Sequence, residues 1–493
     1  MENIKLGFIG LGQMGSALAN GIAKSSVIKK ENIYYYSPSK KDTTFNYVNS
    51  NVEVKMEMFY SLCANHCDII ICAVKPDLAN FVLSDIRTYL PSKLLISICG
   101  GLNIGKLEQI CGEDAKIAWV MPNTPCLVGE GSFIYCANKN VGEVDKKYVN
   151  AIFNACGIIH EIKEKDMDIA TAISGCGPAY VYLFIESLID AGVKNGLTRD
   201  LSKKLVLQTI QGSVKMVKLS DQPVQQLKDN ICSPGGITAM GLFTLEKNGF
   251  KYGIIDAVDA AVQKSKAMGK LCLPLGDLQG ERKNETINLY IQICGEDAKI
   301  AWVMPNTPCL VGEGSFIYCA NKNVGEVDKK YVNAIFNACG IIHEIKEKDM
   351  DIATAISGCG PAYVYLFIES LIDAGVKNGL TRDLSKKLVL QTIQGSVKMV
   401  KLSDQPVQQL KDNICSPGGI TAMGLFTLEK NGFKYGIIDA VDAAVQKSKA
   451  MGKLCLPLGD LQGERKNETI NLYIQAKNIR DMHKRRSDTS IGG

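Results

Sequence analysis

The sequence has little excess charge and no very long apolar run. Lysine and arginine exceed aspartate and glutamate only by 56 to 51, and the stretch 476–493 alone holds five basic against two acidic residues. The rest of the chain therefore gives no general case for a nucleic-acid partner. No apolar run approaches the ~20 residues that a membrane span needs, and the first residues run directly into strand-like text without a signal peptide. We expect a cytoplasmic protein that binds neither nucleic acid nor membrane.

The 18 cysteines do not form the pattern of a small disulfide framework. They lie mostly within apolar text, so we expect reduced thiols and an intracellular compartment. Cys63, His66 and Cys67 are ligand-type residues at short spacing, but no fourth ligand is evident. We interpret them as ordinary helix residues and expect no metal. Apolar residues at 46% and charged residues at 22% are typical of a soluble globular protein.

The chain carries an internal repeat without a single substitution. Residues 110–292 recur letter for letter as residues 293–475. Because most surface substitutions cost little stability, identity at every exposed position argues against an ancient duplication maintained by selection. A very recent duplication or an error in assembling the gene explains it better. The chain is therefore analysed as one two-domain unit followed by a copied piece.

Short apolar strands alternate with helical text over residues 1–163. This alternation predicts βαβ units and a parallel sheet of the Rossmann type. Helical periodicity then predicts an all-helical domain at 164–270, and 271–292 is interpreted as a linker. Strands are predicted at 5–9, 32–36, 68–74, 94–98, 117–120 and 158–162, and helices at 16–24, 179–193, 201–216, 236–245 and 253–268.

The second copy begins in the middle of the sheet domain. It repeats part of the Rossmann segment at 293–346 and the whole helical domain at 347–453, before a linker copy and a disordered basic tail at 454–493. Loop closure costs more entropy as loops lengthen, so the adjacent first copy should complete the sheet of the N-terminal residues. The strands of the second copy are then left with exposed edges that favour pairing with another chain.

A glycine-rich turn follows the first predicted strand and opens a predicted helix. In this context Gly10, Gly12 and Gly15 fit the dinucleotide-binding pattern, with phosphates on the helix N-terminus. At the end of the second strand, where NAD binders place a carboxylate, the chain has hydroxyls and cations. These residues favour the 2′-phosphate of NADPH over NADH: Ser37, Ser39, Lys40 and Lys41.

Five ordered motifs resemble the pyrroline-5-carboxylate reductases. They lie at Gly7–Gly15, Ala73–Pro76, Met121–Pro125, Ser174–Tyr180 and Leu227–Thr238. The resemblance implies reduction of 1-pyrroline-5-carboxylate to L-proline with NADPH or NADH, the last step of proline biosynthesis. It also implies self-association through interlocked helical domains, with the active site near that interface. Three positions depart from the family pattern: Trp119, Cys176 and Cys232.

The resemblance assigns the site residues one by one. Cofactor contacts are expected at Gly10, Leu11, Gly12, Gln13, Met14, Ser37, Ser39, Val74, Lys75, Gly100 and Asn230. Substrate contacts are expected at Glu164, Ser233, Gly236, Ile237 and Thr238. The hydroxyl of Thr238 is also the expected catalytic group; because it is a poor acid, it would position the imine nitrogen or relay a water proton. Second-copy equivalents are Glu347, Asn413 and Thr421.

The turn from Ser233 to Thr238 opens a predicted helix, so its backbone N–H groups can hold a carboxylate. Taken alone, the same text is equally a helix start with proline in the first turn. Two helical domains on one chain could pair internally at high effective concentration, and Thr421 could then serve the single nucleotide site. Two other functions stay open: a non-catalytic oligomerisation protein disabled by the copied segment, and a reductase of another cyclic imine.

Overall fold

The computed structural model describes residues 1, 3–37, 46–47, 60, 63–266 and 296–453. Ser39, Lys40 and Lys41, the predicted linker at 271–292 and the stretch 454–493 lie outside the described residues. The chain divides into two compact units, Met1–Ser448 and Lys449–Gly493. Of the second unit, the structure describes only the end of a helix.

The N-terminal residues form an eight-stranded sheet with the order β3-β2-β1-β4-β5-β6-β7-β8. The central strands are buried along their whole length because helices cover both faces of the sheet. The strands are β1 Leu6–Ile9, β2 Ile33–Tyr36, β3 Asn46–Tyr47, β4 Ile69–Cys72, β5 Leu94–Ser97, β6 Lys116–Met121, β7 Gly131–Ala137 and β8 Gly157–Glu161. The helices beside them are α1 Gln13–Ser25, α2 Pro76–Ile86, α3 Ile104–Cys111 and α4 Glu143–Asn154.

The first copy of the repeat completes this sheet, as loop closure predicts. β5 and β6 pair in parallel with Leu94 opposite Lys116. The sheet is not parallel throughout, however, because β6 and β7 run antiparallel. The short 3₁₀ helix Thr124–Val128 reverses the chain between them, where a parallel partner would need a long crossover. The sequence analysis missed β7.

The helical domain follows with α5 Met167–Ala170, a π-helical turn at Thr171–Gly175, α6 Gly177–Lys194, α7 Arg199–Leu219, α8 Val224–Asp229, α9 Ile237–Lys247 and α10 Phe250–Lys266. The stretches Glu164–Lys194 and Glu347–Lys377 are long and apolar enough to cross a membrane by length and composition alone. In each stretch 89% of the apolar window is buried inside the protein, so they are core helices.

The second copy forms its own small sheet and a second helical domain. β9 Ala301–Met304, β10 Gly314–Ala320 and β11 Gly340–Glu344 make a three-stranded sheet in the order β11-β10-β9. The helices are α11 Glu326–Asn337, α12 Met350–Ala353, α13 Gly360–Lys377, α14 Arg382–Leu402, α15 Val407–Asp412, α16 Ile420–Lys430 and α17 Phe433–Lys453, with a second π turn at Thr354–Gly358.

The two helical domains interlock within the one chain. α15 packs against α6, and in return α8 packs against α13. At the centre the rings of Phe184 and Phe367 stack with centroids 4.4 Å apart. Ion pairs repeat in symmetric sets, such as Lys434 with Asp190 at 2.7 Å and its counterpart across the centre at 2.6 Å. The arrangement has the character of a two-fold dimer interface made inside a single polypeptide.

Candidate functional site

The glycine turn after β1 has the geometry that a dinucleotide requires. Gly10 has a φ of +93°, and a Cβ there would lie 2.8 Å from the Ala73 carbonyl oxygen. A Cβ on Gly15 would lie 2.6 Å from the Gly10 carbonyl oxygen, so α1 packs closely on the strand. A Cβ on Gly12 would meet open space. The first-turn amides of α1 therefore face a space that can take a pyrophosphate.

Most of the other predicted cofactor residues lie at the carboxyl ends of the neighbouring strands. Ser37 follows β2 and is buried. Val74 and Lys75 follow β4, with Lys75 at the N-cap of α2, and Gly100 follows β5. Ligands of open α/β sheets bind outside this edge, where the strand order changes direction. Most of the predicted cofactor residues therefore lie on one surface. Ser39 is outside the described residues, and Asn230 lies elsewhere.

Trp119 and two thiols form the floor beneath this edge. The Trp119 indole Nε1 donates to the Cys99 carbonyl oxygen at 3.2 Å, and the ring is buried. The Sγ atoms of Cys72 and Cys99 are 3.8 Å apart. The departure from the family pattern at Trp119 is thus accommodated by packing and one hydrogen bond.

The Sγ atoms of Cys63 and Cys67 lie together against Gly7, where an added Cβ would meet them at 3.2 and 2.8 Å. Cys63 Sγ is directed at the Phe8 carbonyl oxygen, Cys67 packs against Gly7, and His66 meets a tyrosine ring edge-on with the centroids 4.6 Å apart. The interpretation of these three as ordinary helix residues stays a prediction.

Glu164 lies at the start of the helical domain and is fixed by the sheet domain. Its Oε1 accepts from the backbone N–H of Ile104 at 2.8 Å, at the N-terminus of α3. A carboxylate there also interacts favourably with the helix dipole. The second copy begins after the position of Ile104, so its sequence contains no counterpart of this amide.

Asn123 connects the sheet edge to the π turn of the helical domain. Its Nδ2 donates to the Ser174 carbonyl oxygen at 2.9 Å, and its Oδ1 accepts from the Ser132 N–H at 2.9 Å. The side chain is buried. On the other side of the same loop, Cys126 Sγ lies 3.5 Å from Met14 Sδ in the nucleotide turn. The sequence analysis noted the surrounding motif but assigned Asn123 no role.

The second copy supplies the remaining wall of this site. Thr421 Oγ1 donates to Cys176 Sγ at 3.3 Å, and Thr421 is buried. Cys176 directly follows the π turn that Asn123 contacts, so Thr421 lies on the side of the sheet edge that carries the glycine turn Gly10–Gly15. Thr238 makes the equivalent bond to Cys359 in the second copy, also at 3.3 Å. Each threonine thus packs against the cysteine of the other copy rather than against the cysteine of its own copy.

The exchange includes the whole helix that carries each threonine, α9 for Thr238 and α16 for Thr421. α9 contacts the second π turn, and α16 contacts the first. Asn230, Ser233, Gly236, Ile237 and Thr238 therefore lie with the second copy, away from the glycine turn. The residues brought to the glycine turn's side are their copies, of which the sequence analysis named Asn413 and Thr421 and omitted Ser416, Gly419 and Ile420.

Glu130 holds the second copy against the first at this point. Its carboxylate accepts from Gln394 Nε2 at 3.0 Å and pairs with Lys398 Nζ at 3.1 Å, both on α14. Gly395 lies between them, and a Cβ there would meet the Glu130 carbonyl oxygen at 2.5 Å. The close approach of α14 fixes the position of the second helical domain relative to the loop that carries Asn123.

The groups around Thr421 are uncharged at neutral pH. Burial raises the pKa of the Cys176 thiol to about 11, against which the Thr421 hydrogen bond acts only in part. Burial also raises the pKa of Tyr180 well above its ordinary value. His160, on β8, has a pKa lowered mainly by burial and serves as a structural histidine.

Comparisons with known proteins show which family the chain resembles. The family profile described as pyrroline-5-carboxylate reductase dimerisation matches residues 164–268 and 347–451. The profile described as NADP oxidoreductase, coenzyme F420-dependent, matches residues 5–101. A pyrroline-5-carboxylate reductase from Synechocystis sp. is 36% identical over 270 residues, which are 54% of this chain and 99% of the relative. The chain belongs to the pyrroline-5-carboxylate reductase family.

Solved reductases of this family have the same fold. The crystal structure of Plasmodium falciparum pyrroline carboxylate reductase with NADP bound is 75% identical, with a TM-score of 0.51, and the match covers 55% of this chain and 100% of that one. The reductase from Coxiella burnetii is 27% identical at a TM-score of 0.50, covering 55% and 100%. The predicted Rossmann-type domain and helical dimerisation domain, with the second helical copy, are confirmed.

Proposed function

We propose that this chain reduces 1-pyrroline-5-carboxylate to L-proline by hydride transfer from NADPH, at one composite site built from both copies. Membership of the reductase family supports the reaction. The observation that supports the composite site is the hydrogen bond of Thr421, from the second copy, to Cys176 beside the only glycine turn. NADH remains an alternative hydride donor.

The cofactor site in this proposal lies along the carboxyl edge of the sheet. The turn Gly10–Met14 would hold the pyrophosphate, and Ser37 at the end of β2 would lie toward the 2′-phosphate. The 75% identical Plasmodium falciparum protein was solved with NADP, which supports NADP(H) for this chain. A reduced nicotinamide bound there would supply a hydride, and Val74 and Gly100 are residues that would hold it.

The substrate lies between that edge and the N-terminus of α16. The first-turn N–H groups of α16 have no partner within the helix and can bind the substrate carboxylate. Gly419 at the N-cap has an extended backbone and no side chain to obstruct the approach. The Thr421 hydroxyl lies one residue into the helix and can bond the ring nitrogen.

The reaction needs a hydride on the imine carbon and a proton on the imine nitrogen. Since Cys176 and Tyr180 are neutral and the hydroxyl of Thr421 is a poor acid, none of these groups is a strong proton donor. We assign Thr421 a positioning role, with the proton reaching nitrogen from water. Orientation of the two reactants supplies much of the acceleration.

The equivalent half-site around Thr238 has no glycine turn in its sequence, so we propose that it is inactive. The rival view, a non-catalytic oligomerisation protein, differs from ours in predicting no turnover. The purified full chain should oxidise NADPH only when pyrroline-5-carboxylate is present, measured by absorbance. A flat absorbance with folded protein would contradict the proposal, and faster turnover of a larger cyclic imine would reassign the substrate.

The remaining assignments belong to the same proposal. We place the protein in the cytoplasm, a compartment that suits unpaired thiols such as those of the described cysteines. We keep domain boundaries at 163/164 and 346/347. Association of whole chains beyond the internal pairing is also proposed.

A further inference from the structure

Cys176 lies directly behind the threonine of the composite site. The Thr421 hydroxyl donates to Cys176 Sγ at 3.3 Å, and both side chains are buried. α16 approaches α6 this closely because residue 424 is a glycine: a Cβ on Gly424 would overlap the Tyr180 hydroxyl. The hydrogen bond is therefore held within the packed contact between the two copies.

The chemistry around Cys176 keeps the hydroxyl as the donor of this bond. A hydroxyl is a stronger hydrogen-bond donor than a thiol. The titratable groups that act on Cys176 are Tyr180 on α6 and Cys415, which precedes α16. Burial raises the pKa of both groups, and it raises the pKa of Cys176 itself to about 11. All three groups are therefore uncharged at neutral pH, and the direction of the bond does not change there.

This direction decides what the threonine can offer to a ligand. A hydroxyl has one proton and two lone pairs. Because the proton of Thr421 is bonded to Cys176, only the lone pairs are left for the ring nitrogen of a substrate. A neutral imine nitrogen has a lone pair and no proton, so it would face those lone pairs without a hydrogen bond. An iminium nitrogen has an N–H and can donate it to Thr421.

We propose that Cys176 orients the Thr421 hydroxyl as an acceptor, and that the composite site thereby binds its substrate in the iminium form. This proposal rests on the reductase function proposed above. The substrate takes its proton from water before the hydride adds to the imine carbon. The π pair of the C=N bond then becomes the lone pair of the ring nitrogen, so no proton moves in that step and the nicotinamide is oxidised. Cys176 acts through Thr421 and is a positioning residue.

The other half-site supplies a matched control. Thr238 donates to Cys359 Sγ at the same 3.3 Å, a Cβ on Gly241 would overlap the Tyr363 hydroxyl, and burial raises the pKa of Cys359 to about 11. Cys176→Ala and Cys359→Ala therefore remove the same bond and the same volume. The two variants should have equal thermal midpoints, and only Cys176→Ala should change the reaction.

The test is single-turnover NADPH oxidation by the full-length protein between about pH 6 and pH 9, where the thiol of Cys176 stays protonated. The rate at saturating pyrroline-5-carboxylate reports protonation of the bound substrate, and the slope at low substrate concentration reports that of the free substrate. In the unsubstituted chain a hydrogen bond to the charged iminium should place the first pH midpoint about one to two units above the second.

The variants should change this separation in different ways. In Cys176→Ala the Thr421 hydroxyl can turn its proton toward a neutral imine, so the separation should shrink by at least about one pH unit. Cys176→Ser restores an acceptor and should restore the separation. Cys359→Ala should keep the separation of the unsubstituted chain.

The outcomes separate this proposal from the function on which it rests. Turnover with the same separation in Cys176→Ala and the unsubstituted chain would overturn the role of Cys176 and leave the reductase function standing. An equal change in Cys359→Ala, or a Cys176→Ser protein that behaves like the alanine variant, would also overturn it, since either result would indicate a merely structural role. Absence of turnover in the folded, unsubstituted chain would overturn both proposals.

Discussion

Replacing each of the two exchanged threonines by alanine gives the sharpest test of the composite site. Thr421 and Thr238 have the same local surroundings: each donates to a cysteine Sγ at 3.3 Å, and they are 8% and 9% exposed. The two substitutions should therefore cost nearly equal stability. Only Thr421 lies beside the sheet edge with the glycine turn, so a difference in activity reports which threonine meets the substrate.

The expected size follows from the lost hydrogen bond. A hydrogen bond to a charged or charging group contributes about 1.5–3 kcal/mol, and each 1.4 kcal/mol corresponds to a factor of ten in rate. Thr421→Ala should thus lower kcat/KM for pyrroline-5-carboxylate roughly 10- to 100-fold, whereas Thr238→Ala should leave it within about twofold. Thr421→Ser, which keeps the hydroxyl, should restore most of the loss.

The assay is steady-state NADPH oxidation by full-length protein, with the thermal midpoint measured in parallel for each variant. Equal losses from the two alanine variants would refute the assignment of one composite site. A larger loss from Thr238→Ala would place the reaction on the other pairing. Unequal thermal midpoints would show that the two environments are not matched and that the packing deduced for Cys176 and Cys359 is wrong.

Four further predictions follow from the paired copies. Asn123→Ala and Asn306→Ala each remove two buried hydrogen bonds and should each cost about 2–4 kcal/mol in unfolding free energy, but only Asn123→Ala should also lower kcat/KM. Burial raises the thiol pKa of Cys176, and of its copy Cys359, to about 11 from 9.0. The contribution of the buried, protonated thiols to the free energy of unfolding is therefore fully present below pH 9 and is lost as the pH rises toward 11. Urea midpoints that do not fall between pH 9 and pH 11 would contradict this expectation. The chain has two tryptophans, and fluorescence of the Trp119→Phe protein should report earlier urea unfolding than that of Trp302→Phe, because the second sheet lacks β5 and α1; coincident transitions would argue against independent sheets. The intact native protein should weigh 53.6 kDa, and a mass near that of residues 1–292 alone would show that the second copy is missing.

Sequence reasoning recovered the sheet domain because its strands are short apolar runs bounded by glycine and proline. It missed β7, although Pro125 and Gly129 mark the 3₁₀ turn before it. It also missed α8 and the π turn, whose single turns carry too few residues for a periodic pattern. The direction of β7 depends on tertiary packing and has no local signal.

The composite site was predictable only in part. The glycine turn, Val74, Lys75 and Gly100 follow from motifs on consecutive strands, which parallel pairing brings to one edge. The choice between Thr238 and Thr421 has no sequence signal, because the two copies are identical. It is decided by the interlocking of α6 with α15, a contact between residues far apart in the chain. The sequence allowed this exchange as a hypothesis, and the packing supplies its geometry.

The point at which the repeat begins explains why one half of the second copy is integrated and the other is not. The repeat cuts the sheet domain between β5 and β6 but contains the helical domain whole. Because the helical domain is copied whole, both halves of its self-complementary interface are present in the chain. Phe184 therefore stacks on Phe367, and Asp190 pairs with Lys434. The second copy lacks the sequence of β5, which pairs with β6 in the first copy. In the first copy Trp119 also donates to the Cys99 carbonyl oxygen, whereas no residue of the second copy corresponds to Cys99. The same sequence is thus part of a covered core in the first copy and, among the described residues, the edge of a small sheet in the second.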